Sequence, residues 1–114
     1  HTADFDSPLI LTEGPFDLAS LARVYPNVVA SFTTGLSQRK LSRIGNAAEL
    51  ITFYDYGKGG DAARKIIRQK YGGRIPITDV VPEEHEGDAG DMSVQSIALA
   101  LQGMVPLPSD LIYV

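Results

Sequence analysis

The sequence predicts an α/β domain: a mostly parallel four-stranded sheet flanked by helices. Four short apolar runs alternate with segments whose apolar residues recur every three or four positions, the pattern of strands joined by helices. Gly, Pro and Asn clusters mark the junctions between them. The length of 114 residues suits one domain, and 44% hydrophobic with 21% charged residues is the balance of a chain that buries a core.

The first strand spans residues 8–12 and ends at Glu13-Gly14-Pro15. A helix follows from Phe16 through Leu18, Leu21, Ala22 and Val24, closed by Tyr25-Pro26-Asn27. Residues 28–32 read as a second buried strand leading into Thr33-Thr34-Gly35, after which Ser37 can cap a helix carrying Leu41 and Ile44 that stops near Gly45-Asn46. The third strand, 50–54, runs into Asp55. A glycine loop, 56–60, comes next, with Asp61 placed to cap a helix over 62–71 that Gly72-Gly73 ends. Residues 75–81 form a fourth strand, expected at a sheet edge because Pro76 cannot donate to a ladder. An acidic loop, 82–90, precedes Asp91 as the expected cap of a last helix bearing Val94, Ile97, Ala98 and Leu101. Residues 1–7 are read as a tail and 104–114 as a linker stub or short added strand.

Composition excludes several chemistries. With no cysteine there is no disulfide scaffold, thiolate zinc site or cysteine nucleophile, and His1 and His85 alone cannot make a histidine-rich metal site. A cysteine-free chain fits a reducing, cytoplasmic setting, and no apolar run approaches the ~20 residues of a membrane span. A first residue of His rather than Met suggests a processed chain or an excised piece. The net charge of −4 argues against a simple basic clamp on nucleic acid. Its distribution is uneven: all ten Lys and Arg lie between Arg23 and Arg74, while seven acids and no basic side chain follow residue 74.

In parallel sheets ligands bind beyond the carboxyl ends of the strands. Those positions hold Glu13, Thr33-Thr34-Gly35, Asp55 and the acids of 83–91. If Glu13, Asp55 and Asp88 converge, their charges repel, and a Mg²⁺ or Mn²⁺ ion removes that penalty because hard cations take oxygen ligands. Taken singly, each acid reads more readily as a solvated loop residue or a helix cap; Glu13 and Asp55 taken jointly favour the ion. Lys58, Gly59 and Gly60 before a helix offer an anion cradle, although the spacing is not that of a Walker A loop and a tight turn also explains the glycines. Arg64 and Arg68 share a helix face near Lys65; with Arg39, Lys40 and Arg43 they make either a phosphate track or a solvated face.

Three pieces in this order carry a family resemblance. Leu9-Ile10-Leu11-Thr12-Glu13-Gly14-Pro15-Phe16-Asp17 is similar to a strand followed by Glu-Gly-x-x-Asp. Asp55-Tyr56-Gly57-Lys58-Gly59-Gly60 resembles an Asp-x-Asp-x-Ala-Gly turn, and Gly87-Asp88-Ala89-Gly90-Asp91 resembles Lys-Asp-x-Asn-Asp. All three are similar to motifs of the TOPRIM domain, most closely that of bacterial and phage-type primases and primase-helicases, over residues 8–103. The resemblance implies a compact Rossmann-like TOPRIM fold and phosphoryl transfer: RNA primer synthesis in DNA replication with Mg²⁺ or Mn²⁺. It implies Glu13 as the acid–base residue and Asp55, Asp88 and Asp91 as metal ligands. Its partners would be a single-stranded DNA template, the RNA primer, nucleoside triphosphates and a replicative helicase, in a bacterial cell or phage-infected host.

The sequence departs from the pattern at Gly57, where the family has its second Asp, and at Gly87 and Gly90 in place of Lys and Asn. Asp61 lies four residues beyond Gly57, where it reads more readily as a helix cap than as a replacement ligand. Little template-directed synthesis is expected of this chain by itself. Two alternatives use the same residues: a metal-dependent nuclease, and a degenerate module that binds nucleic acid or a replication partner without chemistry.

Overall fold

The computed structural model describes residues 7–31 and 38–107. Its strands are β1 (Leu9–Thr12), β2 (Val28–Ala30), β3 (Leu50–Phe53) and β4 (Ile77–Val80). Its helices are α1 (Pro15–Ala22), α2 (Gln38–Gly45), α3 (Lys58–Tyr71) and α4 (Val94–Leu101). The sheet order is β2-β1-β3-β4 and every pairing is parallel, with Ile10 opposite Val28 and Ile51, and Phe53 opposite Val80. The sheet is therefore wholly parallel, and β4 lies at an edge as Pro76 requires. The expected positions Thr33, Thr34, Gly35 and Ser37, and most of the tail and C-terminal extension, lie outside the described residues.

Alternation along the central strands separates two cores. Ile10, Ile51, Phe53 and Val80 pack with Leu21 of α1 and Ile97, Ala98 and Leu101 of α4. Leu9, Leu11, Leu50 and Tyr54 pack with Ile44 of α2 and Ala63, Ile67 and Tyr71 of α3. With a helix pair on each face, β1 and β3 are buried throughout, which is why they read as continuous apolar runs. Val105 is also buried in the first core, and Leu107 packs against it, so the chain beyond α4 turns back onto the domain at least that far.

Two helix starts differ from the sequence expectation. α3 begins at Lys58 rather than 62, so Lys58, Gly59 and Gly60 form its first turn instead of a free loop. The cause is Gly57, whose φ of 109° and ψ of −171° belong to a region that only glycine enters readily; it lets the chain leave β3 and enter the helix at once. Asp61 is consequently inside the helix and does not cap it. Asp91 does not cap α4 either: Ser93 does, its Oγ accepting the Ser96 N–H at 3.1 Å. Asp91 instead closes a 3₁₀ turn, Ala89–Asp91, whose cap is Asp88.

Candidate metal centre

Parallel pairing brings the ends of β1, β2 and β3 to one edge of the sheet, and small hydrogen-bonded side chains form the floor beneath that edge. Thr12 Oγ1 donates to the Phe53 carbonyl at 2.9 Å, tying β1 to β3. Ser31 donates through both its N–H (2.8 Å) and its Oγ (3.0 Å) to the Thr12 carbonyl, and its Oγ lies 2.5 Å from the Tyr54 hydroxyl. Burial, with Glu13 nearby, pushes the Tyr54 phenol up to about 12 although the Ser31 bond opposes the rise. The floor is thus neutral and fixed, and carboxylates stand above it.

Asp55 lies two residues beyond the end of β3 and its backbone is clamped. A Cβ added at Gly60 would fall 1.8 Å from the Asp55 carbonyl oxygen, so only glycine lets the first turn of α3 approach this closely. One residue earlier, the Tyr54 carbonyl accepts from the buried Arg64 guanidinium at 3.1 Å. The backbone that presents the Asp55 carboxylate is therefore set by α3 on one side and β3 on the other.

The third acidic segment is held through Asp17. Asp17 is buried in the first turn of α1; its Oδ2 accepts the Gly14 N–H at 3.2 Å and its Oδ1 accepts the Gly90 N–H at 3.0 Å. Gly90 comes so close that an added Cβ would meet Asp88 Oδ1 at 3.1 Å and Asp17 Oδ1 at 3.4 Å. Asp88 caps its 3₁₀ turn by accepting the Asp91 N–H at 3.1 Å. At Gly87 φ is +73° and a Cβ would lie 2.6 Å from Asp91 Oδ2. The glycines at 87 and 90 thus have local backbone reasons. Asp17 escaped the sequence-based site; the signal was its position three residues after Gly14, the spacing of a capping box.

Negative charge accumulates here. Burial first, then Asp88, Asp17, Glu13 and Asp91, push the Asp55 carboxyl above the usual carboxylate range. Asp88 is raised as well, by burial and by Asp17 and Asp91, against the Asp91 backbone hydrogen bond. Among the described residues, the ion pairs are Arg64–Asp61 and Arg68–Asp79, and neither reaches these acids. Half-buried carboxylates raised by neighbouring acids, with no basic partner among the described residues, are a donor set that fits a hard divalent cation. Asp55 and Asp88 are the residues that would hold it, with Asp91 beside them and Glu13 exposed at the rim. No three acids or histidines among the described residues converge into a ready-made cage. The fit is to an ion that keeps most of its shell as water or substrate oxygen, as Mg²⁺ commonly does.

The expected phosphate-binding residues divide. Lys58 and Gly59 are exposed on the first turn of α3, beside Asp55, whereas Gly60 is buried against the Asp55 backbone. Arg64 is taken up internally: it binds Asp61 at 2.6 Å and the Tyr54 carbonyl, so it does not stand on a solvent-facing track. Arg68 Nε donates to Asp79 Oδ2 at 3.0 Å, and Asp79 Oδ1 in turn accepts from Thr52 Oγ1 at 2.6 Å, tying α3 to β3 and β4. Arg43 donates to Asn27 at 2.7 Å, and the side chains of Arg39 and Lys40 lie outside the described residues.

No helix among the described residues is long and apolar enough to cross a membrane. No curated protein matches the sequence. Among solved structures, a small TOPRIM domain protein from Bacillus stearothermophilus is similar, with a TM-score of 0.64 at 16% identity over 94% of this chain and 93% of that one. A family model described as Toprim-like matches residues 10–100. That match spans most of the sequence, and the chain belongs to the Toprim-like family, whose domains are in general metal-binding parts of nucleic-acid enzymes such as primases, nucleases and topoisomerases.

Proposed function

We propose that this domain carries out metal-dependent nucleotidyl transfer on nucleic acid, as the core of a primase or primase-helicase. The observation that supports this reading is the raised pair Asp55 and Asp88, crowded by Asp17, Glu13 and Asp91 and unpaired with any base among the described residues. A bound Mg²⁺ or Mn²⁺ would neutralise phosphate charge and lower the pKa of a coordinated hydroxyl. Asp55 and Asp88 would hold the cation, with Asp91 beside them on the carboxylate surface. Glu13, exposed at the end of β1, accepts the proton of the 3′-hydroxyl as its oxygen bonds to the α-phosphorus of the triphosphate and the bond to the β-phosphate breaks, releasing pyrophosphate. Lys58, on the exposed first turn of α3, draws in the triphosphate. Asp17 acts by position: it fixes the segment that carries Asp88.

Titration of ATP into the protein with and without Mn²⁺ tests this reading. Binding that requires the cation and disappears in Asp55→Asn supports it, and ATP binding indifferent to the cation contradicts it. A Mn²⁺-dependent cleavage of single-stranded DNA, lost in Glu13→Ala, would favour a nuclease instead. Two observations favour the non-catalytic alternative: no three carboxylates form a cage among the described residues, and Gly57 stands where the family's second Asp is expected. Saturable metal binding with neither nucleotide binding nor cleavage would support that module.

A further inference from the structure

We propose that the outer face of α1, from Phe16 to Arg23, seats a single strand of DNA beside the carboxylate end of the sheet, with a base stacked on Phe16 and a backbone phosphate on Arg23. The proposal rests on the reading above that these carboxylates act on nucleic acid. Phe16, Ala19, Ser20 and Arg23 fall at i, i+3, i+4 and i+7, so they line one face of the helix, opposite the buried Asp17 and Leu21. Together with Gly90 they line an open trough of about 330 Å³, at the small end of ligand clefts.

The shape follows from the side chains of this helix face. Ala19 and Ser20 are short and form a low floor, while the larger Phe16 and Arg23 stand at its two ends, about 10 Å apart at 1.5 Å rise per residue. Phe16 is 83% exposed, an unusual position for a large aromatic, and it contributes nothing to either core. Arg23 has no ion pair among the described residues. An aromatic face and a guanidinium along one groove are the combination that binds single strands without reading their sequence, since every base has a face to stack and every nucleotide a phosphate.

The trough is continuous with the candidate metal centre through Gly90. Its N–H is held by Asp17, and its α-carbon faces both Asp88 Oδ1 and the Phe16 Cβ. A strand whose phosphate meets the carboxylate-bound cation therefore has the face of α1 immediately beside it. A protein helix would need a ladder of apolar anchors, and a membrane surface several basic residues; this face has one aromatic and one cation.

Anisotropy of a short labelled oligodeoxythymidylate, titrated with the full chain in Mn²⁺ at several salt concentrations, tests the proposal. Phe16→Ala, at an exposed position, should keep the wild-type melting temperature and weaken binding roughly tenfold. Arg23→Gln should weaken binding and reduce the salt slope by about one phosphate's worth. Leu99→Ala, at an exposed apolar position on α4, should change nothing. Wild-type affinity in both Phe16→Ala and Arg23→Gln overturns the trough while leaving the carboxylate reading in place. Absence of DNA binding by the wild type also overturns the trough, and binding to oligouridylate but not oligodeoxythymidylate does so too. Cation-dependent ATP binding by wild type and Asp55→Asn reports separately on the carboxylates in each case.

Discussion

Asp17 and Gly90 lie 73 residues apart, and the Asp17 carboxylate accepts the Gly90 N–H at 3.0 Å while also accepting the N–H of Gly14. One buried side chain thereby joins the turn after β1 to the acidic segment that precedes α4. Asp17→Ala removes two charge-assisted hydrogen bonds and leaves two N–H groups without that partner. A loss of roughly 2–3 kcal/mol is expected, or a fall in melting temperature of roughly 10 °C at about 4 °C per kcal/mol. Hydrogen exchange at the Gly90 and Asp91 amides should accelerate more than exchange in β3, because the segment loses its anchor to α1.

Asp55 and Asp88 destabilise the metal-free domain at neutral pH. Their folded pKa values are raised, so the folded state holds protons that the unfolded chain has already released. Stability from these groups is full below the unfolded carboxylate range and declines as pH rises through the raised folded values. Asp55→Asn and Asp88→Asn should therefore raise the metal-free melting temperature at pH 7 and shrink the gap between pH 4 and pH 7. Mn²⁺ at a hundred times its dissociation constant should stabilise the wild type by about 2.7 kcal/mol, by mass action alone. That gain should vanish in Asp55→Asn, as thermal melts with and without the ion would reveal.

Neighbouring glycines in α3 should respond in opposite directions. Gly59 has nothing within 4 Å of an added Cβ, so Gly59→Ala should stabilise by about 0.5–1 kcal/mol through the unfolded chain's lost entropy. Gly60→Ala would place its methyl 1.8 Å from the Asp55 carbonyl oxygen, forcing α3 away from the sheet at a cost of about 3 kcal/mol or more. Denaturant midpoints of the two variants, measured side by side, check this.

Arg64 is expected to matter for folding. Arg64→Ala removes a buried guanidinium that donates to the Tyr54 carbonyl and pairs with Asp61, and should cost about 1–3 kcal/mol. Asp61 is 73% exposed, so Asp61→Asn should shift stability by no more than about 0.5 kcal/mol. Equal losses in the two variants would contradict this division.

The fold was legible because both faces of the sheet are covered: Leu9–Thr12 and Leu50–Phe53 are apolar along their whole length, and their helices carry regular spacing. Pro76 announced the edge strand. The helix starts were less legible. An acid before an apolar run looks the same whether it caps a helix or sits in its first turn, and tertiary contacts decided both cases. Asp61 was drawn into α3 because Gly57 turns the chain early and Gly60 packs on Asp55. Ser93 displaced Asp91 because Asp88 first closes a separate turn. Asp55 and Asp88 stood out as strand-end acids, whereas the anchoring role of Asp17 depends on a partner 73 residues away that no local pattern discloses. Gly57 shows the limit of reading motifs alone: at φ 109° an Asp there would be strained by roughly 1–3 kcal/mol, so the missing ligand is tied to the backbone path as well as to chemistry.

The most direct measurement is a calorimetric titration of Mn²⁺, and then Mg²⁺, into wild type and Asp55→Asn. Saturable binding to the wild type that disappears in the variant is the result expected if the crowded carboxylates form a cation site. Undiminished binding to Asp55→Asn, or no binding to either protein, would contradict it.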